Sequence, residues 1–140
     1  MRPAGRLFGA LFAASVLAGC AMSATPMAPD GPVKVGQWGG PHIVMTVASA
    51  STEIEFDCGR ATVPGAIDTD GEDKFTTNGT FLPERPGPTT PDGPARRPMR
   101  LSGTVNGNDM QVSIVLTDSN EDLGNFALTF GATPRLVKCK

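Results

Sequence analysis

Met99-Arg100-Leu101-Ser102-Gly103-Thr104-Val105, Asn106-Gly107-Asn108-Asp109, and Met110-Gln111-Val112-Ser113-Ile114-Val115-Leu116 follow one another without a gap. On the first arm Met99, Leu101, Gly103 and Val105 alternate with polar partners. On the return Met110, Val112, Ile114 and Leu116 do the same. Period two sends successive side chains to opposite faces of an extended chain, so each arm has one apolar face. The four residues between the arms are turn formers. The stretch predicts a β-hairpin with one side in a core and one in water.

The same period continues in both directions. Downstream, Asp118, Glu121 and Asp122 mark a polar turn, Phe126, Leu128 and Phe130 share a face, residues 131–134 turn the chain, and 135–139 read as a last short strand. Upstream, residues 83–98 hold six prolines and two glycines, a density that no helix or strand survives. Before this Pro-rich loop, 74–82 read as a strand with a kink at Asn78-Gly79, and 68–73 as an acidic turn. Residues 60–63 and 66–68 are short extended pieces broken at Pro64-Gly65. Ile54, Phe56 and Cys58 face one way while Glu53, Glu55 and Asp57 face the other, and Ile43, Met45 and Val47 precede them across a turn at 48–51. The chain is therefore expected to be all-β, with seven to eight strands in up-and-down order. A small antiparallel barrel, or a compact sandwich, accommodates them. Closure into a barrel is favoured because it removes edge strands.

The N-terminus obeys a different rule. Arg2 and Arg6 precede an apolar run over 7–18 that is too short to span a bilayer as a mature helix, and the run ends in Leu17-Ala18-Gly19-Cys20. This resembles the signal of bacterial lipoproteins. The resemblance implies that residues 1–19 are removed and that the Cys20 thiol takes a diacylglyceryl group, with acyl chains of the palmitate type as the membrane anchor. An ordinary secretory signal is the alternative. Several acyl chains on one cysteine hold a protein to a membrane where one is marginal. Ala21, in place of an aspartate, favours the outer membrane. Residues 20–34, with Pro26, Pro29 and Pro32, read as a flexible tether, and 35–140 as a single domain.

Removing Arg2 and Arg6 from the 12 basic residues leaves 10 against 14 acidic ones, a net charge of −4. That balance argues against nucleic acid as a partner. Of the three cysteines, Cys20 is assigned to lipid, which leaves Cys58 and Cys139. Export places them where thiols pair, so a disulfide joining the second strand to the last is expected. For so long a loop the chain-entropy model gives roughly 4.5 kcal/mol of stabilisation.

Four segments together resemble a functionally uncharacterised group of small exported bacterial proteins. They are Trp38-Gly39-Gly40-Pro41-His42, Ile54-Glu55-Phe56-Asp57-Cys58, Gly103-Thr104-Val105-Asn106-Gly107-Asn108-Asp109-Met110 and Pro134-Arg135-Leu136-Val137-Lys138-Cys139. The likeness implies an architecture and supports the cysteine pairing. Gly36-Gln37-Trp38 is also similar to the G-x-W of lipocalin-like barrels, which implies that Trp38 packs across the barrel floor against Arg135.

Few residues suggest chemistry. His42 is the only histidine, and a short first hairpin would set it across from Asp57. That contact is either an acid–base pair or a surface cross-strand contact. No nucleophile motif accompanies it, so no enzymatic activity is expected. Asp68, Asp70, Glu72 and Asp73 lack calcium-loop spacing, and no metal or cofactor is expected. Arg85, Arg96, Arg97 and Arg100 flank or occupy the Pro-rich loop and would make a basic patch for an acidic partner or lipid headgroups. The predicted function is a membrane-anchored envelope lipoprotein acting as a non-catalytic binding module. Its ligand would be a small apolar molecule or a cell-envelope component, with Trp38, His42 and the four arginines as candidate binding residues. The alternative is a protein-interaction or inhibitor-type periplasmic barrel. A ligand carrier needs an internal cavity of at least ~300 Å³, whereas an interaction barrel needs a filled core.

Overall fold

The computed structural model describes residues 31–85, 87 and 91–139. The segment expected to be a signal, Cys20 and most of the segment expected to be a tether lie outside these residues, as do 86, 88–90 and 140. The alternating runs become β1 (Gly36–Gly40), β2 (Ile43–Val47), β3 (Ser51–Phe56), β4 (Gly59–Pro64), β5 (Lys74–Pro83), β6 (Arg97–Asn106), β7 (Asp109–Leu116) and β8 (Glu121–Phe130). Each strand pairs antiparallel with the next, and β8 returns to β1, so the sheet is a closed eight-stranded barrel in simple sequential order. No helix occurs among the described residues.

Parity sets the register. The central hairpin pairs Met99 with Leu116, Leu101 with Ile114 and Val105 with Met110, which sends all six side chains inward. Gly107 takes φ 62 at the first central position of its turn, where a type II′ hairpin needs positive φ. On the other side of the barrel Ile43 opposes Phe56 and Met45 opposes Ile54. Among the described residues one cluster of nineteen buried apolar side chains fills the inside, from Val33 and Trp38 through Ile54, Val63, Phe75 and Leu101 to Leu128. Eight strands enclose a bore that side chains can just fill. Apolar side chains point in and polar ones point out, the reverse of a barrel that faces lipid.

Several sequence expectations change in detail. Residues 135–139 are not a strand. Apart from a single parallel bridge between Arg135 and Pro41 they run as coil, and β1 takes the closing position beside β8. β5 runs unbroken through Asn78 and Gly79. The Pro-rich loop is shorter than its prolines suggest, because Pro98 sits inside β6 opposite Thr80. The packed domain begins before the alternation does. Val33 is only 3% exposed, its N–H donates to the Ile67 carbonyl at 2.8 Å, and Pro32 bridges Asp68.

Up-and-down order gives the barrel two distinct ends. The turns after β2, β4 and β6 share one end with residues 31–34, where Lys34 Nζ donates to Asn108 Oδ1 at 2.7 Å. We call this the tether end. The turns after β1, β3, β5 and β7 form the far end.

Candidate functional site

The sheet is weakest where it closes. β1 pairs with β8 through Trp38–Phe130 and Gly39–Thr129 alone, whereas β7 pairs with β8 along the whole strand. Residues 131–139 reinforce this seam. Gly131 N–H donates to the Gln37 carbonyl at 2.7 Å, Arg135 N–H to Gly40 at 3.2 Å, and His42 N–H to Arg135 at 2.8 Å. The segment passes so close to β1 that a Cβ on Gly39 would lie 2.1 Å from the Ala132 carbonyl oxygen. It ends at the far end, where Cys139 is bonded to Cys58 with Cα atoms 5.2 Å apart. Cys58 sits in the two-residue turn between β3 and β4, so the disulfide joins a turn to the C-terminal segment and does not link two strands.

His42 and Asp57 meet in this clasp. Pro41 and His42 form the tight turn after β1, with His42 at φ 65, a left-handed conformation that histidine enters more readily than most residues. The turn sets His42 Nδ1 2.5 Å from Asp57 Oδ2. An ionised carboxylate only accepts, so Nδ1 carries the proton in this contact. Asp57 Oδ1 accepts the Val137 N–H at 2.7 Å, and the Asp57 carbonyl accepts the Cys139 N–H at 3.2 Å. The Val137 N–H is the largest influence holding the Asp57 carboxyl below the usual aspartate range, with His42 and Lys138 acting in the same direction. Lys138 completes the clasp through Glu55 Oε1 at 2.6 Å and the Phe56 carbonyl at 3.1 Å. The cross-strand contact expected from the sequence is present. Its remaining hydrogen bonds go to backbone, which makes it a structural fastening.

The other candidates separate. Trp38 is fully buried, its indole N–H donates to the Lys34 carbonyl at 3.0 Å, and its ring meets Phe130 edge-on at 5.2 Å. Arg135 is exposed and engages the barrel through its backbone, so Phe130 takes the place that the G-x-W likeness gave to Arg135. Of the four arginines, only Arg97 forms ion pairs among the described residues. Arg97 is held at the turn after β7, by Asp118 at 2.9 Å and 3.0 Å and by Glu121 at 3.0 Å. Arg85, Arg96 and Arg100 are exposed. The acidic turn is fastened from within. Asp70 Oδ1 accepts the N–H groups of Glu72 and Lys74, each at 2.9 Å, and these two bonds are the main reason its carboxyl is held below the usual range. Among the described residues no cluster of histidine, cysteine and carboxylate groups could hold a metal ion.

Among the described residues, two of the clefts lie open on the outer wall. One, of about 300 Å³, lies over β2, β3 and β4 and is lined by Val44, Thr46, Glu53, Glu55, Arg60 and Glu84. The other, of about 360 Å³, lies over β5 to β8. The sequence did not single out this second surface, because most of its residues are the polar halves of the same alternating runs. Comparison with protein-family models, curated proteins and solved structures found no match to the chain.

Proposed function

We propose that the protein is a non-catalytic binding module of the bacterial cell envelope, tethered through Cys20 and engaging its partner with the outside of the barrel. The filled interior carries this reading. Trp38, Ile43, Met45, Ile54, Leu101, Ile114 and Leu116 all lie in the bore with 1% exposure or less. A carrier of small apolar ligands needs that space empty, so the outer surface is the favoured binding element. This supports the interaction reading over the ligand-carrier reading.

The tether gives the domain an orientation. Residues 31–34 are fixed at the tether end, and the segment from Cys20 to Gly31 reaches at most about 40 Å when fully extended. The acidic turn at 68–73 then faces the membrane, and the far end, with its disulfide and Pro-rich loop, faces away. Outer-membrane placement with the domain in the periplasm or at the exterior is part of the proposal.

Native mass spectrometry of protein purified from envelopes tests it. The expected species is the chain from Cys20 with its covalent lipid and no second apolar guest. A stoichiometric non-covalent lipid would overturn the outside-surface reading. In parallel, Cys20→Ser is expected to release the protein from the membrane fraction, and continued membrane association would overturn the anchor.

A further inference from the structure

The two sides of this barrel carry different chemistry. Over β3 and β4 most outward positions are charged, and they are bonded to one another or to neighbouring charged residues. Thr62 Oγ1 donates to Glu53 at 2.8 Å, Lys138 pairs with Glu55 at 2.6 Å, and Arg60 with Glu84 at 3.4 Å. Over β5 to β8 the outward positions are mainly hydroxyls and amides, and they fall into straight rows. Thr76 opposes Ser102, Ser102 opposes Ser113, and Ser113 opposes Asn125, one from each of four adjacent strands. Thr104 and Gln111 stand side by side in the next row. Ser102 and Ser113 are half-buried while Thr76 and Asn125 are exposed, so the row is low at its centre. Together with Phe75, Gly103 and Val112, which show through between the polar groups, these residues line the 360 Å³ cleft. None of the six polar side chains has a hydrogen-bond partner among the described residues.

Two cations flank the trough. Arg100 lies in the adjoining row between Asn78 and Val115, exposed and without a partner among the described residues. Lys74 lies on the other side, with Nζ 2.6 Å from Glu72. Asp122, a carboxylate whose Oδ1 accepts the Gly124 N–H at 2.8 Å, ends the Arg100 row beyond Val115.

We propose that this wall is a docking surface for bacterial cell-wall peptidoglycan, whose glycan strand offers hydroxyls and amides and whose peptide stems carry free carboxylates. The proposal rests on the envelope-module reading above and names its partner. Hydroxyl and amide side chains both donate and accept, as sugar hydroxyls do. Groups about 4.8 Å apart within a row, in rows ~6.8 Å apart along the strands, face an extended polymer repeatedly. The guanidinium of Arg100 matches a carboxylate in two-point geometry. Protein interfaces instead centre on buried aromatic or aliphatic anchors, and the exposed large apolar side chains among the described residues, Val35 and Val137, lie off this wall. The tether leaves from one end of the barrel, so the wall itself stays open to a polymer within reach.

Co-sedimentation of the full chain in detergent with purified peptidoglycan sacculi tests the proposal, with neutral cellulose as the control polymer. The wild type is expected to pellet with sacculi and not with cellulose. Arg100→Gln, at an exposed side chain without a partner, leaves the fold unchanged and is expected to weaken binding about tenfold. Ser113→Tyr fills the trough and is expected to abolish binding, while Glu53→Gln on the opposite wall leaves it intact. No binding to sacculi, equal binding to cellulose, or equal binding by Arg100→Gln would overturn the assignment. Failure here in protein that carries no apolar guest overturns the glycan wall alone. A stoichiometric apolar guest overturns the underlying reading.

Discussion

His42 Nδ1 lies 2.5 Å from Asp57 Oδ2, and the other oxygen of the same carboxylate accepts the Val137 N–H at 2.7 Å. One side chain in the turn after β3 thus fastens the turn after β1 to the C-terminal segment. Asp57 holds its proton less tightly in the fold than in the unfolded chain, chiefly because of the Val137 N–H. A depressed carboxyl contributes stability that is present above its unfolded value, near ~3.9, and is lost as pH falls through the folded value. Urea midpoints of the wild type are therefore expected to fall more steeply below about pH 4 than those of Asp57→Asn. Parallel curves for the two proteins would remove Asp57 from the acid response.

The disulfide spans 81 residues of sequence and closes the clasp. Cys139→Ser is expected to lower stability by about 2–4 kcal/mol. Cys58→Ser should cost the same, and the double variant no more than either, because each change removes the same cross-link. The denaturant slope should rise as the unfolded chain expands. Urea unfolding of the three variants checks this, and additive losses would contradict it.

Gly39 is where the C-terminal segment presses on β1. A methyl group there meets the Ala132 carbonyl oxygen and the Pro134 nitrogen, so the segment must lift. Gly39→Ala is expected to cost about 1–3 kcal/mol. Faster hydrogen exchange should appear at the amides of Arg135 and Val137, with the amides of β6 and β7 unchanged.

Thr52 is fully buried in the bore, and its hydroxyl has no hydrogen-bond partner among the described residues. A buried hydroxyl without a partner opposes folding. Thr52→Val keeps the branched shape and removes the polar atom. It is expected to raise stability by about 1 kcal/mol, read as a higher urea midpoint at unchanged slope.

Much of this fold was legible because a half-buried strand writes its period into the sequence. The arms ending at Val105 and Leu116, and the runs through Met45, Ile54 and Leu128, could be placed by counting alone. Val33 and residues 135–139 could not. They dock through backbone groups and a disulfide, and backbone bonding leaves no periodic trace. β1 was hard for a related reason, since Gly39 and Gly40 are there to let other chain segments approach and strand propensity disfavours them. The His42–Asp57 contact followed from the short first hairpin. The fate of Arg97 did not, because its acidic partners sit at 118 and 121, across a register that only the folded sheet defines.

Trp38 is the only tryptophan and lies fully buried in the bore, so it reports on whether anything enters the barrel. Its emission should be followed while the folded protein is titrated with fatty acids of increasing chain length. A filled interior predicts a blue, unshifted spectrum at every concentration and every length. A saturable shift or quench that tightens as the acyl chain grows would mean the barrel opens to hold an apolar guest, and would contradict a module that binds with its outside.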